Sequence, residues 1–155
     1  MNLANNNITE NHAENITQLL GSSVSMLRYI NLSDNYLTDE SLENIEVTPH
    51  LRALLLTNNS IKNEGARVIM KLLHHNENLR RVDLSKNMVS IRYLNEIAKI
   101  MEKKRDHREL SKLQNVRQEI IDLKEELTTM PMIQKETRKV IIEKEKLLRQ
   151  FYEDK

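Results

Sequence analysis

The chain has 155 residues, with 24 Lys and Arg against 23 Asp and Glu. Its formal net charge of +1 provides no global field to draw it to nucleic acid or an anionic membrane. It contains no Cys, which excludes disulfides, thiol catalysis and Cys-based zinc sites together; the lack of Trp and an aromatic content of only 3% argue against a base-stacking platform.

Residues 1 to 18 are polar and Asn-rich, and no apolar run approaches membrane-spanning length. Neither a signal peptide nor a transmembrane span is expected, and the setting expected by default is soluble and cytoplasmic. Sequons at Asn7, Asn15, Asn31 and Asn58 read as coincidences of an Asn-rich chain. The first organised phrase is Met1, Leu3, Asn6, Ile8. It returns as Leu27, Ile30, Leu32, Asn35, Leu37, again as Leu51, Leu54, Leu56, Asn59, Ile61, and again as Leu79, Val82, Leu84, Asn87, Val89.

A complete copy places apolar residues at offsets 0, 3, 5 and 10 from its first Leu and an Asn at offset 8. Offsets 3 and 5 alternate, so they share one face of a short strand. The Asn ends the strand, where its amide can satisfy backbone groups of the adjoining turn. This is the spacing of a leucine-rich repeat, whose stacked copies build one continuous core. Asn6, Asn35, Asn59 and Asn87 are therefore expected to form an asparagine ladder. Because Met1 falls at offset 3, the chain opens inside a repeat. That start is expected from an incomplete sequence or from an edge covered by another subunit.

Each strand is followed by a helical segment. Residues 9 to 20 carry Ala13, Ile16, Leu19 and Leu20 on one face, with Thr9 and Glu10 near the start. Residues 33 to 50 allow only a brief turn, opened by Thr38-Asp39-Glu40-Ser41, filled by Leu42 and Ile45 and ended by Pro49. After Ile61, Ala66, Ile69, Met70 and Leu73 mark a full helix, with Asn63 as the expected N-cap and Glu64 at its positive end. The phrase from Asn59 to Ala66, N-x-I-x-x-E-G-A, resembles the ribonuclease-inhibitor type of leucine-rich repeat. The resemblance covers roughly residues 1 to 101. It implies an α/β solenoid of about 3.5 to 4 repeats with parallel strands, in a family that includes enzyme inhibitors, GTPase regulators, sensors and ciliary scaffolds.

Between the inward leucines lie columns that the strand register would align: Arg28, Arg52 and Arg80, then Tyr29, Ala53 and Arg81, then Asn31, Leu55 and Asp83. These columns admit a solvated face or a site for an acidic protein partner, since guanidinium forks match carboxylates. The partner-binding candidates are Arg28, Tyr29, Arg52, Leu55, Arg80, Arg81 and Asp83.

Ser90 is expected to cap a helix whose Ile91, Leu94, Ile97, Ala98 and Met101 close the solenoid. The charged run from Glu102 to Glu109 fits a solvated helix or a hinge. Beyond it Leu113, Ile120 and Leu127 recur every seven residues, each followed after three by Val116, Leu123 and Met130. This is a helical seam of about three heptads. Thr129-Met130-Pro131 breaks it, and Met132 to Tyr152 resumes helical spacing with Ile133, Val140, Ile141, Leu147, Leu148 and Phe151. The two segments make either a hairpin, which the short connection favours, or a kinked rod.

The expected domains are a repeat domain over 1–101 and a coiled-coil or hairpin tail over 102–155. No nucleophile–base motif or phosphate loop occurs, and the adjacent His74 and His75 point to different sides of a helix, so no cofactor or metal is expected. The chain reads as a non-enzymatic scaffold or adaptor in a larger assembly, with a helix partner for the tail and a strand-edge partner at the N-terminus. Its layout is similar to leucine-rich-repeat components of ciliary axonemes. The alternative is a regulator that binds an enzyme or small GTPase through the concave face.

Overall fold

The computed structural model describes residues 1–21, 26–129 and 134–153. They form two compact units, Met1–Arg105 and Asp106–Lys155. In the first unit, strands β1 (Tyr29–Asn31), β2 (Ala53–Leu55) and β3 (Arg81–Asp83) make a parallel sheet in that order. The register aligns Ile30, Leu54 and Val82. The first repeat joins the sheet edge through a single bridge, Asn2 to Asn31, where Leu3 N–H donates to the Asn31 carbonyl at 2.8 Å.

Each strand covers offsets 2 to 4, and the alternating residues at offsets 3 and 5 enter the core. Ile30, Leu32, Leu54 and Leu56 are fully buried, as are Leu37 and Ile61 at offset 10. Helices α1 (Ala13–Gly21) and α2 (Asn63–His75) cover this core with Ile16 and Leu20, and with Ala66, Ile69 and Leu73. The second repeat has only a 3-10 turn, Glu40–Leu42, whose Leu42 is buried beside Ile45.

The asparagines tie the strand ends together. Asn59 Oδ1 accepts Leu37 N–H at 3.0 Å, while its amide nitrogen lies 3.1 Å from the carbonyls of Leu32 and Leu56 and 3.3 Å from that of Thr57. Asn35 and Asn87 repeat this arrangement, accepting from Ile8 at 2.9 Å and from Ile61 at 3.1 Å. Asn6 holds the same offset but is exposed, and its amide reaches only the Ala4 carbonyl at 2.9 Å. The residue before each of these asparagines, Asn5, Asp34, Asn58 and Lys86, is left-handed, with φ between 54° and 58°. That conformation turns the chain out of the strand and suits Asn or Asp better than Lys.

Helix starts are held by a second set of contacts. Asp39 Oδ1 accepts Lys62 N–H at 2.7 Å and Gly65 N–H at 2.9 Å, capping α2 from the preceding repeat. The expected cap at Asn63 is corrected: Lys62 is the N-cap and Asn63 the first helical residue, its Oδ1 accepting Ser90 N–H at 2.9 Å. Asn63 thus serves the helix of the following repeat, as Asp39 serves α2. Gly65 is required here by close approach, since a Cβ would lie 2.6 Å from Asp39 Oδ1 and 2.7 Å from Ile61 Cγ2.

Helix α3 runs from Ile91 to Thr129 without a break, so the charged run from Glu102 to Glu109 is helical. Its first turns pack on the core through Tyr93, Leu94, Ile97, Ile100 and Met101. The expected face was rotated: Ile91 is 71% exposed and Ala98 is exposed. Ile97 is the buried residue of this face, and Tyr93 beside it accepts from Arg67 Nε at 2.9 Å through its hydroxyl, with the guanidinium 5.5 Å from the ring centroid. Lys104 Nζ donates to the carbonyls of Leu73 and Asn76 at 2.7 and 2.5 Å, placing a cation at the negative end of α2.

In the second unit, α3 is joined by α4 (Gln134–Glu153). Lys124 binds Glu145 at 2.7 Å, and Lys144 binds Glu119. Five Cα steps from Thr129 to Gln134 reach at most about 19 Å. Parallel helices with Lys124 opposite Glu145 would need roughly 24 Å along the axis alone, so the pair is an antiparallel hairpin. Ile120 and Ile141 are buried in it, with Leu113, Val116, Leu123, Leu127 and Leu148 half-buried. Val140 and Leu147 are instead exposed at 41% and 58%, because α4 turns their neighbours Ile141 and Leu148 inward. Met130 and Ile133 lie outside the described residues.

Two stability predictions follow the two sets of inter-repeat bonds. Asn59→Ala should cost about 2–4 kcal/mol in urea unfolding by stranding several backbone groups, whereas Asn6→Ala should cost less than about 0.5 kcal/mol. Asp39→Ala should cost about 1–2 kcal/mol, the loss of a helix cap, and the amides of Lys62 and Gly65 should exchange faster with solvent.

Candidate functional site

The sheet presents its even offsets outward, so the site is built by register. Tyr29, Ala53 and Arg81 are aligned, as are Asn31, Leu55 and Asp83. Tyr29 is 41% exposed, Arg81 is exposed, and Ala53 is nearly covered at 9%. One residue before each strand stand Arg28, Arg52 and Arg80, all exposed. Their backbones are stitched in line, Arg52 N–H to the Arg28 carbonyl and Arg80 N–H to that of Arg52, both at 2.8 Å. Adjacent strands lie about 4.8 Å apart, so three guanidinium stems leave the sheet within about 10 Å. Among the described residues the ion-paired arginines are Arg67, Arg92 and Arg105, and none belongs to this column.

Not every candidate faces outward unengaged. Asn31 and Leu55 are half-buried, and Asn31 Oδ1 accepts Ser33 N–H at 3.0 Å. Asp83 Oδ1 accepts the Ser85 hydroxyl at 2.6 Å and its N–H at 3.0 Å. The Ser85 hydroxyl and amide hold the Asp83 carboxyl below its ordinary value, with smaller contributions from Thr57 and the charge of Arg81. Both acidic and amide side chains therefore close turns at the strand ends. This use was missed in the sequence, although Asn31-x-Ser33 and Asp83-x-Ser85 share the signature of a side chain that binds two residues on.

Further contacts join the repeats along the loop edge, where Asn58 Nδ2 donates to Asp34 Oδ1 at 2.8 Å. Among the described residues no group of three or more His, Asp or Glu is placed to hold a metal ion, and no helix is long and apolar enough to cross a membrane.

The Asp83 contact has a pH signature. A depressed carboxyl pKa contributes stability above the unfolded value, and that contribution disappears as pH falls through the folded value. Ser85→Ala should raise the Asp83 pKa toward its ordinary value of 3.8, read by carboxyl NMR titration, and should shrink the acid-side loss of stability.

Comparison with known families agrees with this geometry. Residues 26–47 match a Leucine Rich Repeat family model, and residues 48–70 match a second Leucine Rich repeat model. No curated protein matches the chain. Repeats of this kind are commonly protein–protein interaction modules and typically non-enzymatic. The aligned strands and the asparagine ladder accord with these two matches, which together support leucine-rich repeats over residues 26–70.

Proposed function

We propose that the protein is a non-enzymatic interaction scaffold whose repeat face receives an acidic surface of a protein partner. The observation that carries this reading is the register-aligned column of Arg28, Arg52 and Arg80, exposed and outside the ion pairs of the described residues. Like charges so close repel one another, and an incoming set of carboxylates relieves that repulsion while accepting forked hydrogen bonds. The same column supports a second reading, a regulator that holds an enzyme or small GTPase through this face. In either case the helical tail, read as a coiled-coil hairpin, serves as an anchor within an assembly.

The proposal extends to a repeat of the ribonuclease-inhibitor type and to a cytoskeletal setting, specifically a ciliary axoneme. The full helix α2 supports the first. The layout of short repeats with a helical tail motivates the second, and imaging of the tagged protein in ciliated cells tests it.

For the interaction itself, the full chain with Arg28, Arg52 and Arg80 all changed to Ala should bind poly-glutamate about tenfold or more weakly in low salt. Its Tm should stay near that of the parent, because the three side chains are exposed. Equal binding by parent and triple variant would remove the column from the site.

A further inference from the structure

The hairpin of α3 and α4 carries a feature that its buried seam does not explain. Successive helical residues are rotated by about 100°, so with Ile120 and Ile141 inward, Ile121 and Ile142 flank the seam on one side and Val140 on the other. Leu147, seven residues beyond Val140, stands on Val140's side. The two cross-helix ion pairs agree with this division: Lys124 and Glu145 meet on the Ile121 side, Lys144 and Glu119 on the Val140 side. Both sides expose aliphatic residues, Ile121 at 43% and Ile142 at 54%, Val140 at 41% and Leu147 at 58%.

The charges divide in net excess in the same way, with exposed Lys112 on the Val140 side and exposed Glu125 on the Ile121 side as the exceptions. Arg117, Arg138, Lys146 and Arg149 are exposed on the Ile121 side, where Glu145 is already paired with Lys124. Glu119, Asp122, Glu136 and Glu143 are exposed on the Val140 side, where Lys144 is already paired with Glu119. Residues 106–155 hold 11 Lys and Arg and 11 Asp and Glu, so the unit is neutral while its two sides are not. A unit built for a polyanion would carry excess positive charge, whereas a neutral unit with opposite flanks is complementary to itself.

We propose that the hairpin is a self-association device in which the basic Ile121 and Ile142 side of one copy packs on the acidic Val140 and Leu147 side of the next. Because the two surfaces differ, the contact is head-to-tail and leaves a free side on each end, so association is open-ended. It covers four exposed aliphatic side chains per contact. The inference is independent of the arginine column on the repeats, since poly-glutamate binding and self-association are separate measurements that fail separately.

Sedimentation velocity of the full chain in low salt tests it. The native protein should form species that grow with concentration without stopping at a dimer. Reversing the basic side, Arg138→Glu with Arg149→Glu, should weaken association about tenfold or more, and so should reversing the acidic side, Glu136→Lys with Glu143→Lys. An equimolar mixture of the two variants should associate again, because each then offers the side the other lacks. Should a reversed chain lose helical circular dichroism, Arg138→Gln with Arg149→Gln tests the same side without reversal and should still weaken association. A native chain that stays monomeric, variants that associate as well as the native chain, or a mixture that fails to recover would each overturn the proposal.

Discussion

The constraint on which the repeat unit depends is the pairing of backbone groups at the end of strands only three residues long. Such strands cannot satisfy their own turns, and the asparagine amide takes over that role. Asn35, Asn59 and Asn87 each bond a carbonyl of the preceding repeat, those of Leu3, Leu32 and Leu56, and each accepts an N–H from it. Every ladder residue therefore completes its predecessor. The helix caps run the other way: Asp39 and Asn63 accept from the repeat that follows. Two sets of bonds with opposite direction lock each repeat to both neighbours, which is the structural basis for nearest-neighbour cooperativity in a solenoid.

This lock also positions the candidate site. Side chains at one offset form a column only if the register is fixed, and the ladder fixes it at the strand ends while Leu54 and its row fix it in the core. The arginines inherit their alignment from buried residues that never meet a partner. Their exposure and the engagement of Asp83 with Ser85 leave positive charge as the dominant character of the strand starts.

Legibility in the sequence followed the range of the interaction. The inward leucines and the ladder asparagines could be read because each repeats at a constant offset. Asp39 could not, because capping α2 from 23 residues upstream of Lys62 depends on how one repeat stacks on the next. Lys104 was hidden for the same reason, its ammonium meeting carbonyls 31 and 28 residues away. Helical phase was the weaker inference. With Val140 beside Ile141 and Leu147 beside Leu148, spacing alone does not say which of each pair turns inward, and the packing of α3 decides it. At the start of α3 the core takes Tyr93, Ile97 and Ile100 in place of Ile91 and Ala98, a face about one residue from the one that periodicity marks.

The central claim, that the ladder makes adjacent repeats one cooperative unit, is tested most directly by native-state hydrogen exchange at Leu37 and Ile61. Their N–H groups donate to Asn59 and Asn87. Both amides should exchange only with global unfolding, at the same free energy as the strand amides that bridge repeats, such as Leu32 N–H to the Leu55 carbonyl. Exchange at either amide as fast as at an exposed loop, with the strand amides still protected, would contradict it.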